Sequence, residues 1–124
     1  MSDYAIVFNE GDTQRLVDHF YDAPLSLVQN ERTTVMKDAN EVFEKIESMI
    51  VALGVRKGTV TNIQDLNFCE ISENLTFVKG NFSREFFSGE LIEMTYVYIF
   101  REYRQSFRIV SLVQSSLDSK AGCH

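Results

Sequence analysis

Residues 92–100 read Ile-Glu-Met-Thr-Tyr-Val-Tyr-Ile-Phe, and no side chain after Glu93 in that run is charged. In a strand, successive side chains point to opposite faces, so a sheet with one wet face alternates polar and apolar residues. Here Met94, Tyr96, Tyr98 and Phe100 fall on one face and Thr95, Val97 and Ile99 on the other. Both faces are therefore expected to be covered. In a chain of 124 residues, one face can take helices or an enclosed pocket, and the other a second subunit.

Outward from this strand, everything after Gly58 has strand character. Four strands are expected, at about 59–71, 75–86, 91–103 and 107–115. The links Ser72-Glu73-Asn74, Ser88-Gly89 and Arg104-Gln105-Ser106 are short and polar, as antiparallel hairpins require. The first half is helical instead. Ser2 can cap a short helix that carries Tyr4 and Phe8 on one face and ends at Gly11. Asp12 caps a second helix with the apolar stripe Leu16, Val17, Phe20 and Tyr21, stopped by Asp22-Ala23-Pro24. Short strands are expected at 25–28 and 33–36. Asp38 and Glu41 form an acidic capping box for the longest helix, whose stripe is Val42, Phe43, Ile46, Met49, Ile50 and Leu53, with Gly54 at its end.

Composition narrows the class. With 12 Lys plus Arg against 18 Asp plus Glu, the net charge is −6, which disfavours a nucleic-acid phosphate binder. No apolar run approaches the ~20 residues a membrane span needs, and the start at Met1 has no secretory pattern. Cys69 and Cys123, the only cysteines, are expected to be free thiols in a cytoplasmic chain. No Cys/His cluster has metal spacing and no glycine-rich loop cradles a phosphate, so neither a metal nor a cofactor is expected. One domain over 1–124 is expected, with 116–124 a disordered tail.

Local matches accompany this order of elements. Asn9-Glu10-Gly11-Asp12 resembles an Asn-x-Gly-Asp turn between two helices, and Phe20-Tyr21-Asp22 resembles an aromatic-rich helix end. The run from Tyr98 to Arg101, with Phe107-Arg108-Ile109-Val110, looks like a closing hairpin. Over about residues 2–115 the chain thus resembles the nuclear-transport-factor-2-like superfamily, which includes ketosteroid isomerases and SnoaL-type cyclases. The resemblance implies an α+β fold, in which a cone-shaped, curved antiparallel sheet wraps around the long helix. It also implies an apolar cone interior and a homodimer across the open sheet face. Aligned on the isomerases, Thr76, Val78, Gly80, Phe82, Thr95, Val97, Ile99, Arg101, Val110, Leu112 and Gln114 turn toward the cone. Phe77, Tyr96, Tyr98, Phe100 and Val113 then form the dimer face. A β-bulge would swap these faces locally.

The isomerases use an Asp base, with a Tyr and a protonated Asp as donors to the enolate oxygen. The donor tyrosine matches Tyr4, seven residues before Gly11, which is also readable as a core aromatic packed on Phe8. The base position carries Val28 or Gln29 and the acid position carries Ile99, so isomerisation by that mechanism is disfavoured. Asp65, Glu93 and Glu102 lie near strand ends or on uncertain faces, and His19 beside an apolar stripe reads as a boundary residue. Arg84 and Arg101 point toward the cone or its mouth. Each is then either rim-exposed and paired with an acid or the partner of an anionic ligand. The expected function is the binding or turnover of an apolar or amphipathic small molecule. Its site comprises Tyr4 (also the catalytic candidate), Val78, Phe82, Thr95, Val97, Ile99, Arg101, Leu112 and Gln114. The alternative is a non-catalytic dimeric interaction module that works through the outer sheet face.

Overall fold

The structure, a computed structural model, describes residues 2–29, 31–57, 60–86 and 89–115. Three helices, α1 (Ser2–Glu10), α2 (Thr13–Phe20) and α3 (Ala39–Ala52), occupy the first half with strands β1 (Tyr21–Val28) and β2 (Thr33–Met36). A 3-10 turn at Val55–Lys57 leads to β3 (Val60–Ser72), β4 (Leu75–Glu85), β5 (Leu91–Tyr103) and β6 (Ser106–Ser115). The expected α+β class is found. One six-stranded sheet has the order β2-β1-β6-β5-β4-β3, antiparallel except where β1 runs parallel to β6. It is an open sheet, with β2 and β3 at its edges.

The helix ends follow their capping residues. Asp12 accepts from the Arg15 amide at 3.1 Å, and Asp38 accepts from the Glu41 amide at 2.9 Å. Glu41 reaches back one residue further than a capping box requires, to the Lys37 amide. Gly11 sits at φ +72 between α1 and α2, where a Cβ would also stand 2.9 Å from Arg56 Cγ, so glycine answers both demands. Beneath that turn, Arg56 donates to the Gly11 carbonyl and pairs with Glu47, which also accepts from Thr13. The pairing with Arg56 holds the Glu47 carboxyl below its usual range.

The α3 stripe buries Val42, Ile46 and Ile50 against α2, β1 and β2. Leu16, Leu25, Leu27, Ile109 and Leu112 complete a continuous core with them. On the other side, α1 packs on β3. The Asn9 side chain there accepts from the Thr61 amide at 2.9 Å and donates to its carbonyl at 3.1 Å, as a neighbouring strand would.

Four sequence expectations change. Helix α2 ends at Phe20, and Tyr21 opens a strand that runs through Pro24 rather than starting after it. Pro24 follows a cis bond and falls in the shifted stretch between Tyr21 and Ser26, where no ladder amide is required of it. Val110 does not face the core. It is the extra residue of a β6 bulge, because Ile99 pairs with Ser111 and Phe100 with Ile109. The largest change concerns β5. Phe82 pairs with Met94, Gly80 with Tyr96 and Val78 with Tyr98, and residues paired across an antiparallel ladder share a face. Tyr96, Tyr98 and Phe100 therefore turn inward with Val78 and Phe82, and Thr95, Val97 and Ile99 turn outward.

Cys69 is disulfide-bonded, so the free-thiol expectation fails there. Spacing along the chain is a poor guide to proximity in space. A disulfide also persists in oxidising surroundings, which removes the argument that thiols made for a reducing compartment. Cys123 and the expected tail at 116–124 lie outside the described residues, as do the Ser2 side chain and Ser88. Among the described residues no helix is long and apolar enough to cross a membrane.

Candidate functional site

The cone is not filled. Between α1, the end of α3 and the inner faces of β3, β4 and β5 lies a cavity of about 50 Å³, open to solvent on one side. That is room for roughly three to five waters. Its walls are mostly apolar, with Ala5 and Phe8 from α1, Met49 and Leu53 from α3, Ile63 from β3, and Phe82, Ile92, Met94 and Leu112 from the sheet. The polar groups fall into two sets. Tyr4, Tyr21, Tyr96 and Tyr98 form one, and Thr61, Ser83 and Arg84 the other.

The tyrosines are placed by three separate elements. Tyr4 lies on the buried face of α1, Tyr21 is the first residue of β1, and Tyr98 is mid-strand in β5. Arg108 fixes the start of β1 by donating to the Tyr21 carbonyl at 2.9 Å and to the Val17 carbonyl at 3.3 Å. The Tyr4 and Tyr21 hydroxyls are 2.5 Å apart, and the Tyr98 hydroxyl is near enough to Tyr4 to interact with it. The Tyr4 ring stands edge-on to those of Phe20 and Tyr98, with centroids at 5.4 and 5.6 Å. Burial raises the phenol pKa of Tyr4, and it drives Tyr21 and Tyr98 well above the ordinary value, helped by the proximity of Tyr4. All three stay protonated at neutral pH.

Three phenols carry three protons, while one hydroxyl–hydroxyl hydrogen bond, Tyr4 to Tyr21, is formed among them. At least one hydrogen is thus left without an acceptor inside the cluster, and all three residues border the cavity. Tyr96 has a different environment. Its hydroxyl meets the Met94 sulfur at 3.8 Å, a weak acceptor, and burial pushes its pKa up to about 12.

Arg84, on β4, is only 4% exposed. It donates to the Leu53 carbonyl at the end of α3, at 3.4 Å, and to the Thr61 hydroxyl. A cation at a helix C-terminus is favourably placed, and the guanidinium also lies 5.5 Å from the centre of the Phe8 ring. Burial lowers its pKa. Among the described lining residues there is no Asp, Glu or His, and among all described residues no cluster could hold a metal ion.

Of the residues expected to meet a ligand, Tyr4, Phe82 and Leu112 line the cavity. Val78 is in the core on the same inner face, and Gln114 stands beside Tyr96, donating to the Met94 sulfur at 3.7 Å. Thr95, Val97 and Ile99 do not reach the cavity, and Arg101 is exposed. Thr95 instead donates to the Asn81 side chain at 3.0 Å. Of the residues expected on the dimer face, Tyr96 and Tyr98 line the cavity and Phe100 packs on the core. Phe77 and Val113 remain outside, paired with Ile99 and Val97. Ile99 faces away from the cone, so it does not occupy an acid's place there. The neighbouring inward residue is Tyr98, and the lack of a lining carboxylate now rests on the wall itself. Val28 is half-buried, and Gln29 bonds to Gln114 at 3.1 Å. Tyr21, Tyr96 and Tyr98 line the cavity without having been expected there. The pairing parity of β4 and β5 is the signal that finds Tyr96 and Tyr98.

Comparison with known proteins agrees with this geometry. No curated protein matches the chain. Among solved structures, an NTF2-like protein with a cystatin-like fold from Novosphingobium aromaticivorans is similar, with TM-score 0.72 and 14% identity over 97% of this chain and 79% of that one. A putative scytalone dehydratase from the same organism gives TM-score 0.72 at 9% identity, over 100% of this chain and 84% of its own. A putative calcium/calmodulin-dependent protein kinase II association domain from Xanthomonas campestris gives 0.69 at 11%, over 95% and 83%. At such identities the likeness is one of fold alone. A family model described as NTF2-like protein (DUF6841) matches residues 1–117, and the chain belongs to that family.

Proposed function

We propose that this protein binds a small apolar or amphipathic molecule in the cone cavity, with an oxygen of that molecule accepting a hydrogen bond from the Tyr4 cluster. The observation that carries the reading is the proton count: three phenols clustered at the end of an apolar pocket have at least one donor to spare. A carbonyl or ether oxygen would satisfy it without any charge being buried. Met49 and Met94 in the wall are unbranched and can move to admit a larger body than the present space accepts. Binding is the primary role, because a base is missing from the described wall and general-base catalysis of the isomerase kind would need one.

Acetophenone is a suitable uncharged probe, followed by ligand-observed NMR. Tyr4→Phe should weaken its binding about fivefold to tenfold, the loss of one net hydrogen bond. Ile92→Phe, which fills the open side, should abolish binding while leaving the fold intact. Binding unchanged in both variants would sink the reading.

A second reading concerns the outer sheet face. The pairs Phe77–Ile99 and Val97–Val113 place four apolar side chains on three adjacent strands. That arrangement supports a homodimer, now resting on the half-buried Phe77, Ile99 and Val113 around the already buried Val97 rather than on the tyrosines. Ile99→Asp should then give a monomer by sedimentation equilibrium.

A further inference from the structure

Val97 is 5% exposed and Thr95 is fully buried, although both stand on the outer face of β5. Val97 is not part of the core that the helices share with the inner face. Its partners across the ladder, Lys79 and Val113, are half-buried, whereas Val35 is 55% exposed at the β2 edge of the same face. The middle of the outer face is therefore covered and its β2 edge is not. The chain can supply the cover. Ser115, the last described residue, pairs with Thr95, so residue 116 leaves the sheet beside the two buried side chains. Across the same face, Cys69 on β3 pairs with Phe77, which pairs with Ile99, and Cys69 is disulfide-bonded. Cys123 is the only other cysteine in the sequence. From Ser115, Cys69 lies three strands across and four residues along the ladder, a separation of about 20 Å. The eight residues from Ser115 to Cys123 reach about 26 Å when extended. A bond between Cys69 and Cys123 thus draws residues 116–122 over Thr95, Val97 and Phe77 with little slack. Leu117 is the one large apolar side chain in that stretch, and Val97 and Val113 give it a surface to bury.

We infer that residues 116–122 are strapped across the outer sheet face by a Cys69–Cys123 disulfide, and that the strap excludes a second copy of the chain until the bond is reduced. The exclusion rests on the dimer reading above, while the strap does not. Phe77, Ile99 and Val113 border the line from Ser115 to Cys69, so strap and partner need the same area. A dithiol opens the bond by exchange. The Cys69–Cys123 bond breaks, both sulfurs become thiols with the two protons of the reductant, and the reductant is oxidised to its own disulfide.

Lys120 puts a trypsin site within the strap. Peptide mapping of the oxidised protein should find Cys69 joined to Cys123 within one chain. Trypsin should cut after Lys120 about tenfold more slowly there than in Cys123→Ser, because cleavage needs the strap to lift. Sedimentation equilibrium should give a monomer for the oxidised protein and a dimer after dithiothreitol or in Cys123→Ser. Adding Ile99→Asp to Cys123→Ser should restore the monomer. Free thiols in the oxidised protein, a disulfide between two chains, or equal cleavage in both forms overturns the strap. A dimer in the oxidised protein overturns the exclusion. If Lys120 is protected only in the oxidised protein and the reduced protein is also monomeric, the strap stands, and the dimer reading falls together with the exclusion.

Discussion

Tyr98 and Ile99 are neighbours in sequence, yet they belong to opposite sides of the molecule. Tyr98 is buried within the core, touches Tyr4 and Phe82 ring to ring, and pairs with Val78 and Leu112. Ile99 is half-exposed on the outer face, opposite Phe77 and Ser111. Tyr98→Ala should therefore cost about 3–5 kcal/mol, the range for removing a core aromatic. Ile99→Ala should cost no more than about 1.5 kcal/mol. Urea denaturation of the two variants measures both, and a larger loss for Ile99 would return β5 to the facing the alignment suggested. Sequence alone showed that this strand is covered twice, because neither face carries a charge. It could not show which face met the cone, since that depends on whether Phe82 pairs with an even or an odd residue. Tyr4, which the resemblance nominated through its spacing to Gly11, does line the cavity. Tyr21 was hidden by a helical stripe that happened to continue one residue past the helix.

Most elements were legible because their punctuation is local. Asp12, Asp38, Gly11 and Gly54 mark helix ends by side-chain chemistry or backbone freedom, and the four long strands declare themselves by length. Less legible were features that one strand imposes on another, such as the parallel β1–β6 pair and the bulges at Val110 and between Gln64 and Asn67. The β5–β6 hairpin carries a local backbone cost. Its two turn residues, Arg104 and Gln105, have φ of +51 and +65, a conformation that a two-residue hairpin favours and that Asn-Gly adopts readily. Arg104 stacks on Tyr103 at 5.3 Å, which recovers little at an exposed site. Replacing the pair by Arg104→Asn with Gln105→Gly should raise stability by about 1 kcal/mol. Chemical denaturation will read the gain, and a loss of stability would mean that the turn is not of this type.

At the scale of the whole molecule, the sheet, α1 and β1 converge on one buried cluster of phenols, and that ties stability to alkaline pH. Tyr4, Tyr21 and Tyr98 have folded-state pKa values above the ordinary 10.0, and Tyr96 is at about 12. The unfolded chain releases these protons near pH 10 while the folded chain retains them. The unfolded state thus binds fewer protons above that point, and stability falls as pH rises. Their contribution is complete below pH 10 and is lost progressively as the pH climbs through the folded-state values. The thermal midpoint should drop steeply above pH 10, with tyrosinate absorbance appearing in step with unfolding rather than before it. Tyr21→Phe removes one of these groups, so its midpoint should fall less steeply over the same interval, even though it starts lower for want of the 2.5 Å hydrogen bond. Parallel slopes in the variant and the parent would show that the cluster does not hold its protons in the folded state. The spare donor proposed for the ligand's oxygen would then be missing as well.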